Sequence, residues 1–290
     1  MHIAPHRLAP ALFALGLAAC GSSAGSASNS STADPIRPTD AKAVLAASVA
    51  KATTGSYTAT FTLNEHVTLP VGLAGSSGPL EVHLTADLRA ENGQRVAMTL
   101  HNSSGVSTPQ TFQTVLYDGT AYLSSDGGGS WKTLKVPAAA LKGYGPGQVL
   151  QYLQAAGTVT DTGPGTVDGQ HVESYHAILD PTKAASAMSS VLSSVLGGES
   201  GGRLASAITL KDGTADLAVD NAQQPVQERF NEAVLIDFSK LAGGSGPLAG
   251  ATGTATVAVD GVCDFANFGT PQTVTRPTNV VGSINLPSTG

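Results

Sequence analysis

The chain has 290 residues, of which 15 are Lys or Arg and 21 are Asp or Glu, so only 12% are charged and the net charge is −6. Ordinary globular domains are about 25% charged, and nucleic-acid binders need a basic face, so this composition argues against a charged disordered chain and against a nucleic-acid partner. The 34 Gly and 16 Pro together make up about 17% of the 290 residues. This fraction is below the roughly 25–30% of unstructured low-complexity polymers, so we predict that most of the chain folds.

The N-terminus has the pattern of a secretory signal. Arg7 is followed by an apolar stretch from Leu8 to Ala19, which is too short to span a bilayer. Leu17-Ala18-Ala19-Cys20 resembles the lipobox of bacterial lipoproteins. That resemblance implies cleavage before Cys20 and attachment of acyl chains, such as palmitate, to Cys20. The alternative is an ordinary signal peptide with a chance cysteine.

Composition divides the chain into four segments. We predict a signal peptide at 1–19, a lipidated and flexible tether at 20–38, a folded domain at 39–281 and a C-terminal tail at 282–290. Loss of Arg7 with the signal makes the net charge more negative, so acyl chains rather than charge should hold the protein at an anionic membrane. The terminal Leu-Pro-Ser-Thr-Gly resembles a sortase signal without its apolar and basic continuation, and we do not expect it to act as one.

The folded domain is predicted to begin with a helix and continue as strands. Asp40 is a plausible N-cap, apolar residues follow at helical spacing, and Gly55 ends the helix. Strands are then indicated by apolar residues at every second position. These strands are expected at 57–69, 80–88, 96–100, 111–117, 121–123, 131–134, 157–163, 170–179, 214–220, 225–236 and 252–263.

Turn residues and two further helical segments indicate how the strands connect. Asn92-Gly93, Asp118-Gly119 and Asp168-Gly169 are typical of antiparallel hairpins, and no phosphate-binding glycine pattern is present. Helices are predicted from Pro146 to Gln154 and from Asp180 to Leu196. The second helix has a broad apolar stripe, which we expect to pack against the sheet.

The residues that carry chemistry form no catalytic constellation. Gly198 to Gly202 fits the Gly-x-Ser-x-Gly pattern around Ser200, but it follows a helix where a nucleophile elbow would follow a strand. The histidines lack metal-ligand spacing, and the carboxylates sit mainly in turns. Cys263 is interpreted as a small buried residue near a strand end. We therefore predict no enzyme activity, no metal and no cofactor.

Taken in order, the chain resembles actinobacterial LppX/LprG-type lipoproteins, whose fold is similar to that of the lipoprotein carrier LolA. The resemblance covers the lipobox, the opening helix and the Asp180-Pro181 helix, and is most specific in the closing stretch from Phe268 to Pro277. It implies an α+β fold, in which a strongly curved antiparallel β half-barrel has a few α-helices covering its concave face. In that family the enclosed cavity is apolar and takes the acyl chains of lipids or glycolipids.

This resemblance and the apolar faces together give a functional hypothesis and candidate residues. We expect an extracytoplasmic, membrane-anchored, non-enzymatic lipoprotein that binds and carries lipid or glycolipid, with any exporter or envelope partner unspecified. The alternative is a sensor or interaction lipoprotein with a filled core. Cys20 is the expected lipidation site. The candidate walls of a cavity are Phe61, Leu63, Val82, Leu84, Met98 and Leu100, and the candidate lid residues are Met188, Val191, Leu192 and Val195.

Overall fold

The computed structural model describes residues 40–70, 79–103, 110–134, 150, 152–184, 206–240 and 252–284. Its fold is α+β, with an α-helix on one side of a strongly curved, open sheet in which antiparallel pairs predominate. The helix, α1, is Ala41–Thr54. The strands are β1 (Tyr57–Thr68), β2 (Leu80–Glu91), β3 (Arg95–Asn102), β4 (Gln110–Tyr117), β5 (Thr120–Ser124), β6 (Trp131–Leu134), β7 (Ala156–Val167), β8 (Gln170–Leu179), β9 (Ile208–Val219), β10 (Pro225–Asp237), β11 (Thr254–Ala266) and β12 (Val280–Ile284).

The twelve strands form one sheet in the order β12-β6-β5-β4-β3-β2-β1-β11-β10-β9-β8-β7. Neighbours in sequence are neighbours in space on both sides of the seam between β1 and β11, which joins the two halves of the sheet. Thr58 faces Ala266 at one end of this seam, and Thr68 faces Thr256 at the other. The described pairs are antiparallel except that β12 runs parallel to β6.

Alternation along the strands gives the sheet one apolar and one polar face. Directly opposed residues of antiparallel strands point to the same side, so the pairing register identifies each face. On β1 the positions 57, 59, 61, 63, 65 and 67 are buried or partly buried, whereas the intervening positions are mostly exposed. We call the side to which these six positions point the concave face, because α1 packs there in one cluster with β1, β2, β8, β9, β10 and β11.

Helix α1 is stabilised at both ends and along its buried side. The Asp40 side chain accepts a hydrogen bond from the Lys42 backbone N–H at 3.0 Å, which satisfies one of the free amides of the first turn. The Gly55 N–H donates to the Lys51 carbonyl at 2.8 Å and ends the helix. Ser48 lies among the buried residues, and its hydroxyl donates to the Gln223 carbonyl at 3.0 Å, which ties α1 to the β9–β10 turn.

The C-terminal segment packs against the opposite side of the sheet. Val274 joins a second buried cluster with Val115, Tyr122 and Trp131. The Val274 N–H donates to Glu91 Oε2 at 2.8 Å, and Arg276 Nε donates to the Tyr122 hydroxyl at 3.0 Å. These contacts position the chain to add β12 beside β6.

The predicted fold class, α1 and the strands β1 to β6 are confirmed, with bounds that differ by a few residues. The structure adds β12, which we did not predict, and begins β9 at Ile208 where we expected 214. Of the predicted helix at 146–154, the described residues include a short 3-10 turn, Tyr152–Ala155. None of the helices in the described ranges is long and apolar enough to cross a membrane.

Candidate functional site

The six predicted wall residues lie on the concave face, on three adjacent strands. Register places Phe61 opposite Ala86, Leu63 opposite Leu84, and Ala86 opposite Leu100. Val82 is opposite Glu65, and Met98 is opposite Leu88. The sheet therefore brings the six residues to one continuous apolar surface, although a role for them in ligand binding remains a prediction.

Burial is uneven across this surface. Leu84 is 1% exposed and Leu63 is 2% exposed, so both are part of the packed core. Other apolar side chains of the concave face are only partly buried and border the core. These are Phe61, Leu80, Leu88, Met98, Phe112, Phe230 and Val234. They are the described part of the face that could contact an apolar ligand.

An aromatic pair crosses the seam within this surface. The rings of Phe61 on β1 and Phe230 on β10 stack with centroids 5.8 Å apart and planes 19° apart. Gly261 of β11 lies between the two strands, opposite both Leu63 and Phe230. A side chain at Gly261 would collide with the Phe230 ring, so the glycine is what allows the two rings to meet.

The predicted lid and the predicted lipidation site lie outside the described residues. This applies to Met188, Val191, Leu192, Val195 and Cys20. The start of the predicted lid helix is described and agrees with the sequence. Asp180 accepts hydrogen bonds from the backbone N–H groups of Thr182 and Lys183 at 2.8 and 3.2 Å, as expected of an N-cap.

Two carboxyl groups lie on the concave face, one on each side of the seam. Glu65 of β1 and Glu232 of β10 both pair with Val259 of β11, so all three residues form one row across the sheet. Glu65 is 3% exposed, and Glu232 is partly buried. Burial raises the pKa of each carboxyl to about 7 from an ordinary value of 4.5, because removal from water disfavours the charged form.

A third glutamate lies further along the same face. Glu228 is fully buried and pairs with Cys263 and Leu217. Cys263 is 1% exposed, which confirms its interpretation as a small buried residue, and burial raises the pKa of its thiol. Burial likewise raises the pKa of the Tyr57 hydroxyl, with Cys263 adding to the effect.

The expectation that carboxylates sit mainly in turns is wrong for these glutamates. Each occupies an inward position of a strand, where the alternation of buried residues continues through it. The signal was present in Leu63-x-Glu65-x-Val67, because the period of two that assigns Leu63 and Val67 to the core also assigns Glu65 to it.

The polar face of the sheet carries the histidines in isolated pairs. His66 contacts Glu81, His83 contacts Asn64 at 2.7 Å, and His176 contacts Asp216 at 2.7 Å. Across the described ranges, no three His, Cys, Asp or Glu side chains are placed to hold a metal ion.

An open depression of about 510 Å³ lies near one end of the sheet, beside the turn between β5 and β6. Phe112 on β4 and Asp126 in the turn contribute to its lining. Asp126 accepts hydrogen bonds from the hydroxyls of Ser124 and Ser130, at 2.6 Å each, and these bonds lower the pKa of its carboxyl. Phe112, which is opposite Leu100 on the concave face, is therefore reachable from this depression.

No protein-family model and no curated protein matches the chain, whereas several solved structures do. LprF from Mycobacterium bovis is 16% identical, with a TM-score of 0.41 and coverage of 82% of this chain and 97% of LprF. The Mycobacterium tuberculosis lipoprotein LppX is 14% identical, with a TM-score of 0.38 and coverage of 81% of this chain and 100% of LppX. A protein from Vibrio parahaemolyticus described as an outer membrane lipoprotein-sorting domain is 9% identical, with a TM-score of 0.25 and coverage of 82% of this chain and 95% of the Vibrio protein. Among solved structures, the chain is thus similar to lipoproteins of the type that its sequence resembles, the LppX/LprG type.

Proposed function

We propose that the protein is an extracytoplasmic lipoprotein that binds acyl chains of a lipid or glycolipid on its concave face and carries them without catalysing a reaction. One observation carries the proposal: a group of apolar side chains on that face, including Phe61, Leu88 and Met98, stays partly exposed where a filled core would bury it. Exposed apolar patches that persist in a folded protein commonly mark binding sites. An acyl chain would remove this surface from water, which is worth about 25 cal/mol per Å².

Anchoring is the second part of the proposal. Cys20, the last residue of the lipobox-like Leu17-Ala18-Ala19-Cys20, would carry two or more acyl chains and hold the protein at the cell membrane. Residues 21–38 would serve as a flexible tether between the membrane and α1. The folded domain would thereby stay within reach of membrane lipids.

Lipid binding can be tested with adjacent residues that point to opposite faces. Met98 pairs with Leu88 on the concave face, whereas Thr99 pairs with Asp87 on the polar face, and both are partly buried. Residues 20–290, with Cys20→Ser to prevent acylation, would be produced in an actinobacterium and analysed by native mass spectrometry. We expect a bound lipid in this protein and in its Thr99→Glu variant, and loss of lipid in Met98→Glu, because a buried charge disfavours an apolar ligand.

Two outcomes would contradict lipid binding. One is a parent protein that carries no lipid, and the other is equal lipid content in the two variants when circular dichroism shows both to be folded. The first outcome would favour a sensor or interaction lipoprotein.

Membrane attachment through Cys20 gives a separate prediction. In cells that produce the full-length chain, Cys20→Ala should move the protein from the membrane pellet to the soluble fraction, because thioether attachment of the lipid needs the thiol. Cys263→Ala is the matched control and should stay with the membrane, since its thiol is buried in the folded domain. Membrane retention of Cys20→Ala would contradict anchoring by acylation.

A further inference from the structure

The concave face contains two carboxyl groups that an acyl-chain site does not require. Glu65 is 3% exposed and sits between Leu63 and Val67 on its own strand, with Val82 and Val259 on the neighbouring strands. Its surroundings on the face are therefore aliphatic.

Glu232 is placed in the same way on the other side of the seam. Its neighbours along β10 on this face are Phe230 and Val234, and across the strands it faces Val259 and Gly213. Gly213 has no side chain to cover it, and the Leu179 side chain occupies the space that a Cβ at Gly213 would need. Glu232 stays partly exposed, so water or a ligand can reach it.

Among the described residues, neither carboxyl has a hydrogen-bonding or ionic partner. In the part of the chain that the structure describes, no side chain or backbone group forms a hydrogen bond or an ion pair with Glu65 or Glu232, and burial is the only cause of their raised pKa values. No Lys, Arg or His is opposed to either residue or adjacent to it on this face. The next titratable groups along the face are Glu228 and Cys263, which are also acids.

Burial of an unpartnered carboxyl is costly, so its position calls for an explanation outside the core. The backbones of Glu65 and Glu232 are separated by two strand spacings, about 10 Å, with Val259 between them. The two side chains thus flank one short apolar span, beside the stacked rings of Phe61 and Phe230. A carboxylate accepts hydrogen bonds, and a group that donates them would satisfy both residues.

We propose that the concave face binds a ligand whose apolar body carries a hydrogen-bond donor, a hydroxyl or an ammonium group, and that Glu65 and Glu232 accept from it. The inference rests on the proposed function, because it assigns a polar group to the ligand of the same face. It excludes free fatty acids as preferred ligands, since an ionised fatty acid would bring a third negative charge beside two acids. The donor would offset the desolvation of the carboxyls, so that the site selects the ligand by its polar group as well as by its chain.

Competition among three ligands of one chain length tests this selection. Dodecylamine, dodecanol and dodecanoate would compete with the neutral apolar dye N-phenyl-1-naphthylamine for residues 20–290 carrying Cys20→Ser, at about pH 8, where both carboxyls are largely ionised. We expect the amine to bind at least about ten times more tightly than dodecanoate, a difference of about 1.4 kcal/mol. If dodecanol binds about as tightly as dodecylamine, the ligand's donor is a hydroxyl. If dodecanol binds about as weakly as dodecanoate, the donor is an ammonium group.

A variant with Glu65→Gln and Glu232→Gln should keep the dye site and lose most of the preference for the amine. Glu81→Gln is the matched control, because Glu81 is an exposed glutamate on the polar face of β2, and it should leave the preference unchanged. Absence of dye binding to the parent protein would contradict the proposed function itself. Two results would overturn the inference while lipid binding stands. In one, the parent protein binds the dye but does not prefer dodecylamine or dodecanol to dodecanoate. In the other, the double variant keeps the full preference of the parent protein.

Discussion

Between about pH 5 and pH 8, the free energy of unfolding should fall by about 2–3 kcal/mol through Glu65, and by less through Glu232, which water reaches. The pKa of each carboxyl is raised from 4.5 to about 7, so the folded state holds two protons that the unfolded chain has already released in this window. The contribution of these two carboxyls to the free energy of unfolding is therefore fully present below about pH 4.5, and it is lost as the pH rises through about 7. Above that pH both states are ionised and the loss is complete.

Urea unfolding at a series of pH values measures how the free energy of unfolding depends on pH. The double variant Glu65→Gln, Glu232→Gln should show a much flatter dependence and should be more stable than the parent at about pH 8, because an amide carries no charge to desolvate. Asp87→Asn, whose carboxyl is exposed on the polar face, should reproduce the parent curve. Equal slopes in the parent and the double variant would show that neither carboxyl is desolvated.

Gly261→Val should destabilise the fold by about 2–4 kcal/mol. A Cβ at this position would lie 2.6 Å from Phe230 Cε1, closer still to its Cζ, and 3.0 Å from the Thr62 carbonyl oxygen. The backbone oxygen cannot move without disturbing the β1–β11 pairing, so the Phe230 ring must leave its place. Its stack with Phe61 would then be lost.

Thermal or urea unfolding would measure the loss, with Gly282→Val as the matched control. Gly282 is also a strand glycine, but a Cβ there would meet nothing within 4 Å. We expect its effect to stay within about 0.5 kcal/mol, as for an ordinary surface substitution. If Gly261→Val costs no more than the control, the ring does not depend on the glycine.

Local signals in the sequence predicted most of the fold. Asp40 and Gly55 delimit α1 because capping depends on neighbouring residues alone. The positive φ angles of Asn92 and Gly93 belong to a turn that only a few residue types adopt readily. Where alternation is regular, as in β1, the pattern also predicted the face correctly.

The sequence failed where tertiary contacts decide the structure. In β9, a register shift opposite Ala233 and Val234 lets Leu210 and Gly213, three residues apart, both point inward. This bulge breaks the period of two and concealed the first half of the strand. The segment Val280–Ile284 is short and contains a glycine, and its pairing with β6 depends on tertiary contacts such as those of Val274 and Arg276.

The candidate site was predicted only in its apolar part. Residues such as Leu63 and Leu84 follow from alternation, whereas the stack of Phe61 on Phe230 depends on a pairing between distant strands. Glu65 was missed because charge usually indicates an exposed position, and here the backbone register determines its side.

The seam between β1 and β11 also affects the order in which the chain can fold. Thr58 and Ala266 are 208 positions apart, so β1 can form hairpin contacts with β2 early but cannot complete its other edge until synthesis has passed Ala266. Contacts between such distant residues form slowly, and an unpaired strand edge promotes aggregation. The half-sheet from β1 to β6 therefore keeps its β1 edge unpaired until β11 has been synthesised, and during that interval this edge can pair with other chains.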